Sequence, residues 1–344
     1  MHQSKLPAII FSLVILGILS AISAAAYHGN QNSERSKLKK EGKTVLRLGH
    51  GLSQSHPVHL AMVDLAKRVK EKSNGQMDVL IYPSGQFGSE RTMIEQVQLN
   101  QLEMTKTSAA TLESFVPEVG VLSLPYIFRN SNHYWNVLNG QVGNELDKYS
   151  QKKNFHILCF FDAGARSFYS KESMIKSPAD LKRNNLKVRV MKSKKAMQMI
   201  KAMGGSPTPI SWGELYSSLQ QGVVDAAENN PPSFLNSRHY EVCKYYSLDK
   251  HARIPDIVIM SQAFWKSLSE QQKNWLTEAA KEASAKQRKD WETASKNALK
   301  ELKKAGVEIY TPDPEPFIKA TQKVRDGVKN PAVKKLLNQI EEAK

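Results

Sequence analysis

The sequence predicts an α/β fold of two domains arranged about a cleft, with one long helix spanning both. Three observations carry this. Strand-like and helix-like segments alternate through residues 44–108 and again from about 164 to 250. The stretch 263–305 contains neither proline nor glycine, which is long for one globular helix. The chain has 344 residues, enough for about two domains of roughly 100–200 residues each.

The N-terminal stretch is the first element. Residues 6–26, "LPAIIFSLVILGILSAISAAA", follow Lys5, carry no charge and end in small residues, with Ala24 and Ala26 spaced for signal-peptidase cleavage. We read 1–26 as a secretory signal. An uncleaved membrane anchor is the alternative, because about 20 apolar residues also span a bilayer. Either way the rest of the chain is exported. No cysteine lies near residues 20–30, which excludes lipoprotein attachment. Residues 27–43 are polar and charged and read as a linker or frayed start.

Folded structure is expected from "TVLRLGH". Pro57 suits the first position of a helix capped by His56 or Ser55, with Met62, Leu65, Ala66 and Val69 on one face and Gly75 beyond its end. "MDVLIYP" is a strand, "SGQFGSER" a turn feeding a helix from about Ser89, and "LEMTKTS" a further strand. This β-α-β-α-β order predicts a parallel sheet covered by helices. The middle repeats the style. "FHILCFFDAG" is a strand, "SPADLKRNN" a short helix capped at Ser177, and "LKVRVM" a strand. "SKKAMQMIKAMGG" is a helix, "SWGELYSSLQQG" a helix with Ser211 and Glu214 as a capping box, and "VVDAAE" a strand. We divide the chain into domain I, 44–163 plus about 253–290, and domain II, 164–252 plus about 291–344. The late run is either two helices or one helix strapped across both domains.

Composition narrows the function. The formal charge is +16 and the pI about 9.6, but the basic residues are scattered and no nucleic-acid module is present. No nucleic-acid partner is expected. Only Cys159 and Cys243 are present. Export permits their pairing, but Cys159 lies in an apolar strand where free cysteine is common. No GxSxG, HExxH or P-loop occurs, and "GHGLSQ" lacks the third glycine of a dinucleotide loop. "HPVH" could hold a metal, but no nearby carboxylate or cysteine completes a ligand set, so no metal or other cofactor is expected.

Two α/β units behind an export signal suggest a receptor closing on a small solute off the carboxyl ends of its strands. Several residues sit at such ends. Arg189 lies in "LKVRV" and Arg166 in "DAGARSF". Guanidinium matches a carboxylate because its planar fork donates two parallel hydrogen bonds and stays charged. Alternation alone places Arg189 beside Lys187 on a solvated face; strand-end position allows it a ligand. Glu228, Asn229 and Asn230 crowd one strand terminus. Glu90 could accept hydroxyls or simply favour its helix N-terminus. His50 and His56 could donate hydrogen bonds into a cleft. Trp212 and Phe168 could pack on a sugar ring or belong to the core.

Taken in order, "YPSGQFGSER", "LSLPYIFRN", "SPADLKRNNLKVRVMKS", "MGGSPTPISWGELYSSLQQGVVDAAENNPPSF" and the late helix resemble the substrate-binding proteins of TRAP transporters, the DctP-type family, over about residues 44–330. The resemblance implies a periplasmic-binding-protein type of fold: two α/β domains joined by hinge strands and a long helix. It also implies an organic-acid ligand in the interdomain cleft and delivery to a membrane permease driven by an ion gradient. By this resemblance Arg189 pairs with the ligand carboxylate, Arg166 is the second arginine, and Asn229 with Glu228 before it completes the family's "D-x-x-E-N" segment. "AENNPPSF" and "HPVH" are similar to hexuronate-binding members, which makes Glu90, His56 and Asn230 candidates for sugar hydroxyls; Ser89 adjoins them. Other sugar acids, sialic-acid-like ligands and dicarboxylates are alternatives. The resulting expectation is a periplasmic, non-catalytic, monomeric receptor. The rival is an exported sugar-acid enzyme using His56 and Glu90 as acid and base.

Overall fold

The computed structural model describes residues 33–343. The proposed signal segment lies outside the described residues. Two mixed sheets form the scaffold. The first holds β1 (Thr44–Gly49), β2 (Met77–Tyr82), β3 (Met104–Ser108), β4 (Phe155–Phe161) and β10 (Asp256–Ser261), in the order β2-β1-β3-β10-β4. The second holds β5 (Arg166–Ser170), β6 (Lys187–Val190), β7 (Ser206–Pro209), β8 (Ala226–Asn229), β9 (Tyr245–Ala252) and β11 (Glu308–Tyr310), in the order β11-β9-β5-β8-β6-β7.

The βαβ alternation predicts parallel pairing, and β1 does pair in parallel with β2 and β3, as β6 does with β7 and β8. The antiparallel members are the strands by which the chain changes unit. The chain leaves β4 and enters β5 through residues 162–165, and leaves β9 and enters β10 through residues 253–255. Each of β5 and β10 runs antiparallel to both its sheet neighbours. Neither is reached by the crossover helix that a parallel connection requires.

The late run is a single helix, Glu270–Lys304, started by a capping box of Ser269 and Gln272 and preceded by a short helix, Gln262–Ser267. Its first half buries Leu276, Ala279, Ala280 and Ala283 in the core of the first unit, with Leu46, Met62 and Val258. Its last turns bury Leu302 in the core of the second, with Tyr169, Phe234 and Tyr246. It is therefore the strap between units.

Three sequence expectations are corrected. Residues 33–40 are helical rather than a linker. Leu38 is buried with Val45, Leu80 and Tyr82, and Arg35 pairs with Glu103 at 3.0 Å, so this segment has both an apolar and an ionic anchor. The final helix, Pro331–Glu342, sets Val333, Leu336 and Ile340 into the first unit's core beside Val119 and Leu146, whereas the sequence division groups it with domain II. Ser211 makes no side-chain cap; the segment opens as a 3-10 turn, Trp212–Glu214, before the helix Leu215–Gln220. The cysteines stand as the apolar strand around Cys159 suggests: Cys159 and Cys243 are both free and lie in separate cores, and burial pushes each thiol up to about 12.

The first crossing is tightly determined. Gly164 has φ +61°, and a Cβ there would stand 2.8 Å from Nε1 of Trp291 on the long helix. Both the left-handed backbone and the indole contact exclude a side chain. Gly164→Ala is expected to destabilise the protein by about 1–3 kcal/mol. Gly213→Ala, whose added methyl meets nothing within 4 Å, serves as the control. Urea midpoints compared at constant m-value check this, and equal midpoints for the two variants would refute it.

Candidate functional site

Strand ends and crossings from both units converge on one cleft. Its lining includes Arg189, Arg166, Asn229, Asn230, Trp212 and Ser233 from the second unit, and Ser89, Glu90, Lys106, Thr111 and Asp256 from the first or the crossing into it. Seven sequence-predicted residues therefore meet there: Arg189, Arg166, Asn229, Asn230, Glu90, Ser89 and Trp212.

The two arginines differ in what they have left to give. Arg166, the first residue of β5, is 5% exposed. Its Nε donates to Glu228 Oε2, its Nη2 to Glu228 Oε1 (3.0 Å) and to the Glu228 carbonyl (2.7 Å), and its Nη1 to Asn229 Oδ1 (3.0 Å). Of its five donor hydrogens, only one on Nη1 remains. Arg189 is 3% exposed, while Lys187, two residues earlier, is exposed. Its Nε donates to the Ile210 carbonyl (2.9 Å), and no acceptor among the described residues takes Nη1 or Nη2. Its guanidinium lies 5.9 Å from the Trp212 ring. Burial lowers its pKa from the ordinary arginine value, as expected of a desolvated cation with no carboxylate against it.

Behind Arg166 lies a fully buried chain of charges. His251 Nδ1 is 2.7 Å from Asp249 Oδ2, and its Nε2 is 3.4 Å from Glu228 Oε2. Burial opposes the charges on Arg166, Glu228 and His251, yet their partners win. Glu228 is brought down to about 2 by Arg166 and His251, and His251 is raised to about 9 by Asp249 and Glu228. Arg166 is thus neutralised from behind.

Asn229 is oriented without ambiguity. Its Oδ1 accepts from Arg166 Nη1, from the Asn230 backbone N–H (2.9 Å) and from Asn230 Nδ2 (3.1 Å), so its Nδ2 carries the free donors. Asn230 Oδ1 caps the helix Pro231–Asn236 by accepting from the Ser233 N–H (2.8 Å). The second unit therefore presents donors to the cleft.

The first unit presents acceptors. Glu90 follows the helix cap Ser89, whose Oγ accepts from the Thr92 N–H. Glu90 Oε1 accepts from Lys106 Nζ (3.1 Å) and Oε2 from Thr111 Oγ1 (2.9 Å), leaving lone pairs on both oxygens. Lys106, 2% exposed in the middle of β3, also donates to Asp256 Oδ1 (3.3 Å), at the start of β10. Burial opposes the Lys106 charge, but Asp256 and Glu90 outweigh it and raise its pKa. Burial also raises the pKa of Asp256.

Four sequence candidates are not at the cleft. Glu228 stands behind Arg166. Phe168 is fully buried in the second unit's core, its ring centroid 4.6 Å from that of His251. His50 Nδ1 accepts from the Leu52 N–H (3.1 Å), so its Nε2–H donates to His59 Nδ1 (3.0 Å). His56 Nδ1 accepts from the Val58 N–H (3.1 Å) as the helix cap, so its Nε2–H donates to Ser233 Oγ (3.0 Å). That bond crosses between units and aims the Ser233 hydroxyl into the cleft. With both nitrogens committed, His56 is not paired with Glu90 as acid and base. Burial lowers both pKa values, that of His56 to about 3. Among the described residues, no group of three or more His, Cys, Asp or Glu could hold a metal.

Sequence reasoning missed Lys106, Thr111, Ser233 and Asp256. The available sign was Asp256 at the head of the apolar strand in "PDIVIM"; "MTKTS" gives Lys106 no such mark.

Three comparisons bear on this arrangement. The model of "DctP: Bacterial extracellular solute-binding protein, family 7" matches residues 48–331. The uncharacterized protein YiiZ of Salmonella typhimurium is 39% identical over 306 residues, covering 88% of this chain and 93% of its own. Two crystal structures of TRAP periplasmic solute-binding proteins share the fold. One, from Chromohalobacter salexigens with bound D-glucuronate, is 34% identical with a TM-score of 0.84, covering 87% of this chain and 100% of its own. The other, from Xanthobacter autotrophicus with bound β-D-galacturonate, is 32% identical with a TM-score of 0.83 and the same coverage.

The histidines fix the pH dependence of stability. His251 has a folded pKa raised above its unfolded value, so its contribution is complete below about pH 6.5 and lost as pH rises through about 9. His56 has a folded pKa below its unfolded value, so stability falls as pH drops from about 6.5 toward 3 while the unfolded chain takes up the proton. Urea unfolding across pH 4–10 is expected to give a maximum near pH 6–7, and His251→Gln to flatten the alkaline limb selectively. An alkaline limb identical in the two proteins would refute the assignment.

Proposed function

Because the chain belongs to the DctP family of bacterial extracellular solute-binding proteins, we propose that it is the periplasmic receptor of a TRAP transporter and that it binds a hexuronate, D-glucuronate or D-galacturonate. The carboxylate docks on Arg189 and the hydroxyls are shared between the two walls of the cleft. The observation that carries this reading is the guanidinium of Arg189. It is buried and faces the cleft with both Nη groups free of protein acceptors among the described residues. A buried cation with two parallel donors and no counter-ion fits a carboxylate better than any neutral ligand. The remaining Arg166 N–H and the Asn229 Nδ2 donors stand on the same wall and supply further bonds to acid and ring oxygens. Glu90, Asp256 and the Ser233 hydroxyl take the sugar hydroxyls. The solved relatives that hold glucuronate or galacturonate support the choice of acid.

The remaining parts follow from the family reading. The apolar N-terminal segment exports the chain. Residues 162–165 and 253–255 act as the hinge about which the units close. The loaded, closed receptor is what the membrane permease recognises.

Two measurements test this. In calorimetry on protein stripped of copurified ligand by unfolding and refolding, D-glucuronate or D-galacturonate is expected to bind in the micromolar range or tighter. Failure of both uronates to bind would sink the uronate reading. Replacing Arg189 with Ala or Lys is expected to cost about 2–5 kcal/mol of binding, roughly thirtyfold or more in Kd. Neither replacement should lower the unfolding midpoint appreciably, since Arg189 carries an unpaired buried charge in the free protein. Retention of affinity within about threefold by Arg189→Ala, under ~0.7 kcal/mol, would rule the clamp out.

A further inference from the structure

We propose that the wall opposite Arg189 is a charge filter: Glu90, Lys106 and Asp256 admit sugar acids with a single carboxylate and reject those with a second carboxylate at the far end. This rests on the reading of Arg189 as the carboxylate site and adds what the rest of the ligand must be.

The reasoning is a count of charges and hydrogens. Of the two buried guanidinium groups in the cleft, Arg189 offers the fork that protein carboxylates leave open, because Arg166 is already held by both oxygens of Glu228. Lys106 is the first unit's buried cation in the lining, and it is already shared by two carboxylates, Glu90 at 3.1 Å and Asp256 at 3.3 Å. One ammonium between two carboxylates leaves no surplus positive charge. What this wall has in excess is lone pairs. Each Glu90 oxygen receives one protein hydrogen bond, and Asp256 Oδ2 receives none among the described residues. Hydroxyl groups supply the hydrogens such a wall needs. A carboxylate supplies none and sets anionic oxygens against anionic oxygens in a partly desolvated site, a juxtaposition that costs several kcal/mol.

The other cations in the lining do not offset this. Arg91 is exposed at the rim, where its Nε makes a surface i,i+4 pair with Glu95 at 3.1 Å. Lys192 is exposed and lies two residues beyond β6, on the side of Arg189 rather than of Glu90. An exposed rim charge of that kind draws anions in but contributes little to the bound state.

The clean comparison uses ligands of equal length that differ only at the far carbon. D-Gluconate ends in CH₂OH and D-glucarate in a second carboxylate. Binding of these two and of D-glucuronate is measured by calorimetry at pH 7.5 on the full-length folded chain and on its Glu90→Gln variant. Gluconate is expected to bind at least ~30-fold more tightly than glucarate. Glu90→Gln is expected to weaken glucuronate yet narrow the gluconate-to-glucarate ratio about tenfold, because the amide presents a donor where the carboxylate presents none. Thermal unfolding of the variant, within a few degrees of wild type, shows that it is folded. Glucarate binding within threefold of gluconate would overturn the filter. So would a ratio unmoved by Glu90→Gln, or gluconate as weak as glucarate with both far below glucuronate, since ring shape rather than charge would then select. Tight gluconate with no uronate binding would instead reject the uronate reading while supporting the filter. Glucarate binding in the absence of both monoanions would overturn the two together.

Discussion

Everything in the cleft depends on the unequal treatment of two buried guanidinium groups. Arg166 and Arg189 come from the same sheet and are equally shielded from water. Arg166 has its charge matched by Glu228, which is itself supported by His251 and Asp249. Arg189 is held only by a neutral carbonyl on Nε. A desolvated charge without a partner is costly to the folded protein, and that cost can be recovered when an anion arrives. The free protein is, in this sense, strained toward a carboxylate. The Arg166 network is the reverse case: a structural strut, satisfied in advance, whose single remaining N–H and whose grip on Asn229 set the donor geometry around the ligand position.

The fold makes this inequality possible by where it ends its strands. Arg189 lies one residue from the end of β6, and Asn229 closes β8, so backbone pairing fixes each while leaving its side chain beyond the sheet. Arg166 and Asp256 each open the strand that follows a crossing between units. In the proposed reading the hinge and the binding groups are therefore neighbours in the chain. A rotation about residues 162–165 and 253–255, as proposed, would move the donor wall relative to the acceptor wall. Contacts that bridge the walls include apolar ones, Met191 in one core of the first unit and Trp212 against the other, and polar ones: His56 to Ser233, Ser55 to Asn236 (3.0 Å), and Glu113, which accepts from Ser193 Oγ at the N-terminus of the helix Lys194–Ala202. Exchangeable hydrogen bonds of this kind suit surfaces that must separate again.

Much of this was legible in the sequence, and the parts that were not share a cause. Arg189, Arg166, Asn229 and Glu90 sit beside punctuation, a strand end or a helix cap, that made them candidates, and the family resemblance did most of the rest in singling out the arginines and Asn229. Glu228 and the histidines were placed one layer too far forward. Sequence can mark a polar residue as buried near a site, but it does not say whether a protein partner has already used its hydrogen bonds, and His56 and His50 have none to spare. Lys106 was passed over for the opposite reason. It reads as the wet residue of an alternating strand, and only the spatial meeting of β3 with β10 and with the helix after Ser89 supplies the two carboxylates that allow a lysine to be 2% exposed. Lys187 and Arg189 make the same point within one strand: they share a nominal face, yet one is in solvent and the other under the cleft. The grouping of the last helix failed because cores are assembled from contacts distant in sequence, which a linear boundary does not record.

Placing donors on one unit and acceptors on the other also separates affinity from closure. A ligand can shift an open–closed equilibrium only by its difference in affinity for the two states. A carboxylate on Arg189 contacts one unit, so this bond is available before closure and favours neither state. Hydroxyl bonds to Glu90 and Asp256 exist only when the first unit swings over the bound acid. In the proposed reading the acid group therefore anchors and the hydroxyl pattern closes. A small carboxylate lacking hydroxyls would occupy Arg189 without drawing the units together. A permease that recognises the closed form would then be protected from it, and the discrimination would come from the polarity of the walls rather than from the strength of the salt bridge.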